Sequence, residues 1–510
     1  MRRKNDCFES NRGITLVALI VTIIVLIILS TISISAVLGE NGIIKKAQQA
    51  KELYQNSVTA EEEEMNALIA EYQNMMAGPP PPYKDDTLPV EPNVAEGMTK
   101  VKYNSSSNKW ERVTDDTTEW YNYANKEWAN VVLSAETDGS SIFNADGTLD
   151  ESKNYVQLVW IPRYAYRITS QYHQSGSTAG NISVVFIGTD NKGTDGTTYS
   201  TTYPTSATTG GSMGDYVVHP AFNYGGTPLA GFWIGKFESS NTSCTATDKA
   251  TGAVAYTGDE VMTVKAGVTS WRNLTINNMY KTCIGMNKSG NPYGLNTSDN
   301  VVDPHLTKND EWGAVAYLSK SSYGKETEEV WINPNSNYIT GQAGTGASVS
   351  STTSTDAYNT GNGPNASTTG NVYGVYDMSG GAWEYTAAYV KNSNITSYGG
   401  NLVAEGTASK YRDVYSVGSS DSMANNYAVS TPANGHYGDA VYETCAETID
   451  TNTYASSWYS DFSYFPDSSY PFFERGGSYG GTTDAGVFYF NLYNGSFSSG
   501  LGFRVVVPVL

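Results

Sequence analysis

The chain has 510 residues and a formal net charge of −20, with only 16% charged residues but 38 tyrosines and 50 glycines. This length predicts more than one folding unit, and the acidity argues against nucleic acid as a partner, since phosphate binding needs a basic surface. The polar, aromatic composition is more typical of a loop-rich extracellular protein than of a cytosolic enzyme.

The N-terminal segment is the most apolar part of the chain. Residues 14–29 are almost wholly apolar, and the run continues with small polar breaks to Leu38. Because roughly 25 residues cross a ~30 Å hydrocarbon core, we predict a transmembrane helix here. By the positive-inside rule, the basic residues before it direct the rest of the chain outside the membrane; they are Arg2, Arg3, Lys4 and Arg12.

A short motif at the start of this run resembles the processing site of type IV prepilins: Arg12-Gly13-Ile14-Thr15-Leu16-Val17. The resemblance implies a leader over 1–13 that prepilin peptidase cuts after Gly13, so that the mature chain begins at Ile14. The fifth mature residue, usually Glu in pilins, is Ala18. This departure favours a minor or tip subunit, or a membrane-anchored relative, over a major pilin, and other pilins stay candidate partners. An uncleaved signal anchor is the alternative.

The helical pattern continues to residue 76. Apolar residues recur at three- and four-residue spacing, which predicts one apolar helix face; they are Met65, Leu68, Ile69 and Tyr72. We therefore predict a hydrophobic and then amphipathic, pilin-like helix over 14–76, with a simple amphipathic stalk as the alternative for its outer part. Four consecutive prolines follow, and residues 77–97 are predicted to form a semi-rigid linker.

Residues 98–135 contain two copies of a short aromatic pattern. Tyr103 precedes Trp110, and Tyr121 precedes Trp128 at the same spacing. The repetition predicts a small module of paired β-hairpins in which tyrosine and tryptophan pack across strands. Sugar binding is the alternative use of these rings, but a module this small needs them as its core.

Residues 150–510 alternate short apolar segments with long polar loops. Val156–Arg163 and Phe232–Glu238 are predicted to be strands, and Ser-, Thr- and Gly-rich loops are predicted over 169–213 and 341–369. Long irregular loops between short strands favour a display scaffold rather than a packed α/β enzyme.

Six ordered motifs in this region resemble those of the formylglycine-generating-enzyme (sulfatase-modifying factor) family. They are His219-Pro-Ala-Phe222, Gly231-Phe-Trp-Ile-Gly-Lys236-Phe-Glu238, Asn309-Asp-Glu-Trp-Gly313, Gly374-Val-Tyr-Asp-Met-Ser-Gly-Gly381 with Trp383-Glu384, Arg475-Gly-Gly-Ser478 and Gly502-Phe-Arg504. The family has a C-type-lectin-like fold, a small twisted sheet system flanked by two helices. The expected class is thus α+β, with an N-terminal transmembrane, pilin-like helix, a small β-hairpin module and a C-terminal C-type-lectin-like domain.

The resemblance also assigns scaffold roles at the end of the chain. It implies that Arg475 and Arg504 fix the two ends of a terminal segment, residues 475–504, and that Trp383 and Glu384 support it. The glycines and phenylalanine of the two motifs would be frame positions, together with two glycines between them; they are Gly476, Gly477, Gly486, Gly495, Gly502 and Phe503.

The reactive groups of that family are missing. Its oxidative enzymes place cysteines shortly after the Arg-Gly-Gly-Ser motif, but residues 477–503 contain none. Its iron enzymes need a histidine cluster, and the four histidines here share no metal-ligand spacing. We predict no enzyme activity, no catalytic residue and no cofactor. A structural Ca²⁺ without an assigned site, and an altered enzyme that depends on Glu384 or Cys445, are the alternatives.

The cysteines form no framework of disulfides. Cys7 falls in the predicted leader, which leaves Cys244, Cys283 and Cys445 without a CxxC pattern. One bridge and one free thiol are compatible with this count, and Cys244–Cys283 is the predicted pair.

The terminal segment resembles the variable region of diversity-generating retroelement proteins, which ends in Gly-Phe-Arg. In that system adenine-directed mutagenesis turns AAC codons into NNC codons, which cannot encode Lys, Glu, Gln, Trp or Met. None of these five types occurs over 476–503. Tyrosine, serine, asparagine and glycine dominate the segment, as in antibody binding loops.

The resemblance implies fourteen candidate variable, ligand-binding positions. They are Tyr479, Thr482, Thr483, Asp484, Tyr489, Asn491, Leu492, Tyr493, Asn494, Ser496, Phe497, Ser498, Ser499 and Leu501. Phe488 and Phe490 alternate with Tyr489, so we predict that these two rings belong to the core.

These features together predict a cell-surface adhesin or receptor that is membrane-anchored or pilus-associated. Its ligand would be a protein or glycan on another cell, a phage or a host surface, bound through the diversified terminal segment. The alternative is a minor type IV pilus subunit whose head is structural and binds no specific ligand.

Overall fold

The computed structural model describes residues 15–29, 65, 83–244, 249–295, 302–392, 395–418, 421–446 and 455–510. The chain divides into two units, Met1–Pro81 and Pro82–Leu510. The processing site at Gly13 and Ile14, the leader, and most of the predicted pilin-like helix lie outside the described residues.

The predicted transmembrane helix is wrong for the residues that the structure describes. Helix α1 spans Leu16–Leu29, a length of 14 residues, and covers only about 21 Å at ~1.5 Å per residue. A span needs about 20 apolar residues. Among the described residues, no helix combines the length and apolar character needed to cross a membrane.

The second unit contains twenty-three short strands among its described residues. Helices α2 to α5 are Ile276–Gly285, Asn309–Ser319, Thr396–Val403 and Met423–Tyr427. Strands β1 to β23 are, in order, Thr99–Asn104, Lys109–Arg112, Asn130–Ser134, Tyr155–Pro162, Tyr164–Ile168, Ile182–Phe186, Val217–Val218, Asn223–Tyr224, Thr227–Pro228, Gly231–Gly235, Ser240–Asn241, Met262–Thr263, His305–Leu306, Gln342–Ala343, Asp356–Ala357, Trp383–Val390, Asp413–Tyr415, Ala455–Ser456, Phe462–Ser463, Phe472–Arg475, Phe490–Tyr493, Leu501–Phe503 and Val505–Val507.

The larger part of the core surrounds one seven-stranded sheet, in the order β13-β23-β10-β4-β3-β1-β2. Every residue of β4 is buried, which explains its nearly continuous apolar sequence, since a central strand covered on both faces does not alternate. Trp160 of β4 faces Trp233 of β10 in the register, with ring centroids 5.1 Å apart.

Residues 98–135 contribute β1, β2 and β3 to this same sheet. Tyr103 pairs with Trp110 across the β1–β2 hairpin, whereas the second copy of the repeat forms a short 3-10 turn over Tyr123–Asn125. The aromatic residues predicted to be the core of a separate module therefore pack into the common core, where β4 supplies the apolar surface that a hairpin pair lacks.

A second seven-stranded sheet holds the terminal segment. Its order is β17-β16-β20-β21-β19-β18, and β22 pairs in parallel with β16. Strands β20, β21 and β22 all come from the last forty residues, so the end of the chain is built into the sheet.

The predicted α+β class, with a long N-terminal helix and a C-type-lectin-like domain of a small sheet between two helices, is therefore corrected. Strands outnumber helices in the described chain, and its few helices are short. The predicted Cys244–Cys283 bridge is also wrong: Cys244, Cys283 and Cys445 are all buried and free.

Candidate functional site

The C-terminal end of the terminal segment is fixed by an ion pair. Arg504 donates from Nη2 to Oε1 of Glu384 at 2.6 Å and from Nε to Oε2 at 3.2 Å. It also donates to the carbonyl oxygens of Gly235 at 2.7 Å and Tyr376 at 2.9 Å. Both charged side chains are fully buried. Burial raises the pKa of Glu384 to about 7, against the opposing effect of Arg504.

The other end is fixed by Arg475, at the end of β20. Its guanidinium donates to the carbonyl oxygens of Asp439 at 3.1 Å and Ala440 at 3.2 Å, and it lies over the Trp312 ring. Gly477 follows with a φ of 74°, and a Cβ there would lie 2.6 Å from Ala485. This close approach in a left-handed conformation favours glycine, so the segment leaves β20 on a defined path.

Between these ends, the main chain of the segment forms hydrogen bonds with residues outside it. The main-chain N–H of Asn273 donates to the carbonyl oxygen of Ser498 at 2.9 Å. Since such bonds use backbone atoms, they do not depend on which side chain the segment carries. The others are Ile276 N–H to Gly495 O at 3.0 Å, Trp383 N–H to Gly500 O at 3.1 Å, Tyr385 hydroxyl to Ser496 O at 3.1 Å, and Tyr479 N–H to Gly381 O at 2.8 Å.

Twelve of the fourteen candidate positions have side chains that reach solvent. Four are exposed: Thr483, Asp484, Phe497 and Ser499. Phe497 is 60% exposed, which is unusual for so large an apolar ring. Eight are half-buried: Tyr479, Thr482, Asn491, Leu492, Tyr493, Asn494, Ser496 and Ser498.

The structure buries the other two candidates. Tyr489 is 5% exposed and stacks on Phe462 with ring centroids 5.9 Å apart. Leu501 pairs with Trp383 through β22, and its side chain is buried. Neither presents a free surface for a ligand in this conformation. The prediction that Phe488 and Phe490 belong to the core is confirmed, since both are 0% exposed.

Residues outside the terminal segment border the candidate positions. The Tyr338 ring meets the Tyr479 ring edge-on at 4.8 Å, and Tyr470 lies 6.4 Å from Tyr493. Arg272 covers Tyr338 at 3.9 Å. Sequence reasoning missed these residues, because tyrosines are so frequent in this chain that a single one in a loop carries no positional signal.

Asp377 and His219, two polar residues of the six motifs, have structural partners. Asp377 accepts from Asn333 Nδ2 at 2.8 Å and from the Gly341 N–H at 2.9 Å. His219 Nε2 lies 2.8 Å from the Gly438 carbonyl oxygen, and burial lowers the pKa of His219 to about 3. Among the described residues, no group of three or more His, Cys, Asp or Glu side chains is arranged to hold a metal ion.

Gly486 tests how tightly the frame is packed. A Cβ at Gly486 would lie 2.1–2.2 Å from the carboxylate oxygens of buried Asp461, whereas one at Gly480 would meet nothing within 4 Å. We expect Gly486→Ala to lower the free energy of unfolding by about 1–3 kcal/mol and Gly480→Ala to change it by no more than ~0.5 kcal/mol. Urea unfolding of both variants measures this, and equal effects would contradict it.

A comparison with known protein families found no match, and no curated protein matches the sequence. Among solved structures, Treponema denticola variable protein 1 is similar to this chain, with 13% sequence identity, 70% of this chain and 96% of that chain covered, and a TM-score of 0.25. At that TM-score the likeness carries no argument about how this chain works.

Proposed function

We propose that this protein is a ligand-binding receptor or adhesin of the cell surface, which binds through the side chains of residues 479–499. The observation that carries the proposal is that the backbone of the terminal segment is held by hydrogen bonds while most of its candidate side chains are left to face solvent. Its backbone carbonyl oxygens accept hydrogen bonds from residues outside the segment, among them Asn273 and Tyr385. Meanwhile, twelve candidate side chains reach solvent. A frame of this kind keeps its shape when the side chains change, so the protein acts by recognition rather than catalysis.

Diversification of this surface is part of the proposal. The absence of Lys, Glu, Gln, Trp and Met over 476–503 is what NNC codons would produce. Tyrosine supplies rigid contact area, and serine, asparagine and glycine supply adaptable hydrogen bonds. The ligand is a protein or glycan on another cell, a phage or a host surface.

Surface display rests on the motif around Gly13 and Ile14, where prepilin peptidase would cut. Incubation of the full chain with that peptidase, followed by N-terminal sequencing, tests this step. A mature terminus at Ile14 supports the proposal, and an uncut chain with Gly13 intact contradicts it.

Sequencing tests the diversification directly. The gene segment for residues 476–503 should be read deeply across a growing population and related isolates, together with any nearby near-repeat. We expect substitutions at codons whose counterparts in the repeat contain adenine, concentrated at the twelve solvent-reaching positions. A uniform segment without a repeat would contradict it and leave a fixed-specificity adhesin or a structural pilus subunit.

Two phenylalanines in the segment separate binding from folding. Phe497→Ala should change the free energy of unfolding by no more than ~0.5 kcal/mol, because the ring is 60% exposed, and should weaken ligand binding about tenfold or more. Phe488→Ala, the same change at a fully buried ring, should cost about 3–5 kcal/mol. Denaturant unfolding compares the stability of the two variants, and a binding titration measures the ligand affinity of Phe497→Ala. Unchanged ligand affinity in Phe497→Ala would remove Phe497 from the contact surface.

A further inference from the structure

A carboxylate lies beneath the candidate positions. Glu474 of β20 faces Asn491 of β21 and Tyr385 of β16 in the sheet register, and it is 4% exposed. Side chains alternate along a strand, so its neighbour Phe473 points the other way, into a separate buried cluster that also holds Phe490. Glu474 therefore shares a sheet face with Tyr385 and Asn491.

Glu474 has fewer partners than two other buried glutamates, Glu384 and Glu443. Glu384 pairs with Arg504, and Glu443 accepts hydroxyls from Tyr166, Tyr203 and Tyr317. Among the described residues, the Glu474 side chain accepts one hydrogen bond, from Asn491 Nδ2 to Oε2 at 3.3 Å, and no lysine or arginine pairs with it. Burial raises the pKa of Glu474 to about 8. A buried carboxylate with so little compensation favours an incoming positive charge.

Aromatic rings surround this carboxylate. Burial and then the charge of Glu474 raise the pKa of both Tyr385 and Tyr489 well above the ordinary range, so both hydroxyls lie within its field. The Tyr493 ring lies 6.3 Å from the Tyr385 ring. Tyrosine faces attract cations, and a carboxylate adds a charge-assisted hydrogen bond.

We propose that Glu474 is a fixed carboxylate subsite of the binding surface, which ionises as it takes a cationic side chain, lysine or arginine, from a protein ligand. This inference rests on the proposed function and names one chemical feature of the ligand. Asn491, the residue bonded to Glu474, is half-exposed and a candidate variable position. Substitution at 491 thus changes both access to the carboxylate and its hydrogen bonding, while Glu474 lies outside 476–503 and stays constant.

Binding of a cation requires the ionised carboxylate, so it should depend on pH. The titratable groups that face Glu474 are Tyr385 from β16 and Tyr489 before β21, and both titrate far above neutral pH. Arg475, the next residue of β20, alternates to the opposite face. Glu474 is thus the group whose ionisation should set the pH dependence between pH 6 and 9, and occupation below pH 8 should release a proton.

The probes are three capped tripeptides, Gly-X-Gly, in which X is lysine, arginine or acetyl-lysine. Each is titrated calorimetrically at millimolar concentration into the full chain at pH 7 and pH 9, in two buffers of different ionisation enthalpy. We expect the lysine and arginine peptides to bind about tenfold tighter at pH 9 than at pH 7, with proton release at pH 7, and acetyl-lysine not to bind. Glu474→Gln should abolish binding, whereas Glu405→Gln, the same change at an exposed residue, should not.

Three results would overturn the inference: no binding of either cationic peptide at pH 9, equal binding by Glu474→Gln, or binding that does not change with pH. Thermal unfolding of Glu474→Gln ensures that a loss of binding does not reflect a loss of fold. The proposed function fails separately, through an invariant 476–503 segment, so the two failures are distinguishable.

Discussion

Replacement of Arg504 by methionine is expected to lower the free energy of unfolding by about 3–5 kcal/mol, because it leaves a buried carboxylate without its partner. Glu384 receives two hydrogen bonds from Arg504 and lies beside Asp377, whose negative charge disfavours a second ionised group. Methionine keeps the unbranched apolar part of the side chain but supplies neither the charge nor the donors to the Gly235 and Tyr376 carbonyl oxygens.

The Lys100–Asp116 pair is the matched control for Arg504. Lys100 Nζ lies 2.8 Å from Asp116 Oδ1, but the Asp116 side chain is largely exposed. Lys100→Met should therefore lower the free energy of unfolding by no more than ~1 kcal/mol. The double variant Glu384→Gln with Arg504→Met should lose less stability than the two single variants together, since the uncompensated charge is gone. Urea unfolding measures all four variants. An Arg504→Met cost no larger than that of Lys100→Met would show that the ion pair does not fix the segment.

The sequence predicted buried strands where a continuous run of apolar residues marks them. The strand expected at Val156–Arg163 is present as β4, and the one expected at Phe232–Glu238 is present as the shorter β10, which ends at Gly235. Continuous apolar runs identify such buried strands. Phe490 is buried as the first residue of β21. Phe488 lies in the turn before that strand and packs against Trp458, so its burial has a different cause from the strand alternation that the prediction assumed.

Features that depend on distant residues could not be predicted in this way. Tyr489 looks like its neighbours in sequence, but it stacks on Phe462, a residue of strand β19. Glu474 precedes the Arg-Gly-Gly-Ser motif and carries no pattern of its own; its importance arises from Asn491 and Tyr385 on adjacent strands. At the N-terminus hydropathy predicted a membrane span, but α1 has 14 residues and no described helix is long and apolar enough to cross a membrane.

The stability of the protein should depend on pH through Glu474. In the unfolded chain this glutamate titrates in its ordinary range, near pH 4.3, whereas burial raises its pKa to about 8 in the folded state. The folded protein therefore holds this proton more tightly than the unfolded chain. The resulting stabilisation is fully present below the unfolded pKa and is lost as the pH rises through about 8.

Glu474→Gln should remove this dependence, because glutamine resembles the protonated acid and does not titrate. From pH 5 to pH 9 the wild-type chain should lose about 2–4 kcal/mol of unfolding free energy more than Glu474→Gln does, since each pKa unit corresponds to ~1.4 kcal/mol. Urea unfolding at pH 5, 7 and 9 measures the two curves, and exposed Glu405→Gln should follow the wild type. Parallel curves for wild type and Glu474→Gln would mean that the carboxylate is already compensated in the folded protein, and the cationic subsite would then have no unpaired charge to offer a ligand.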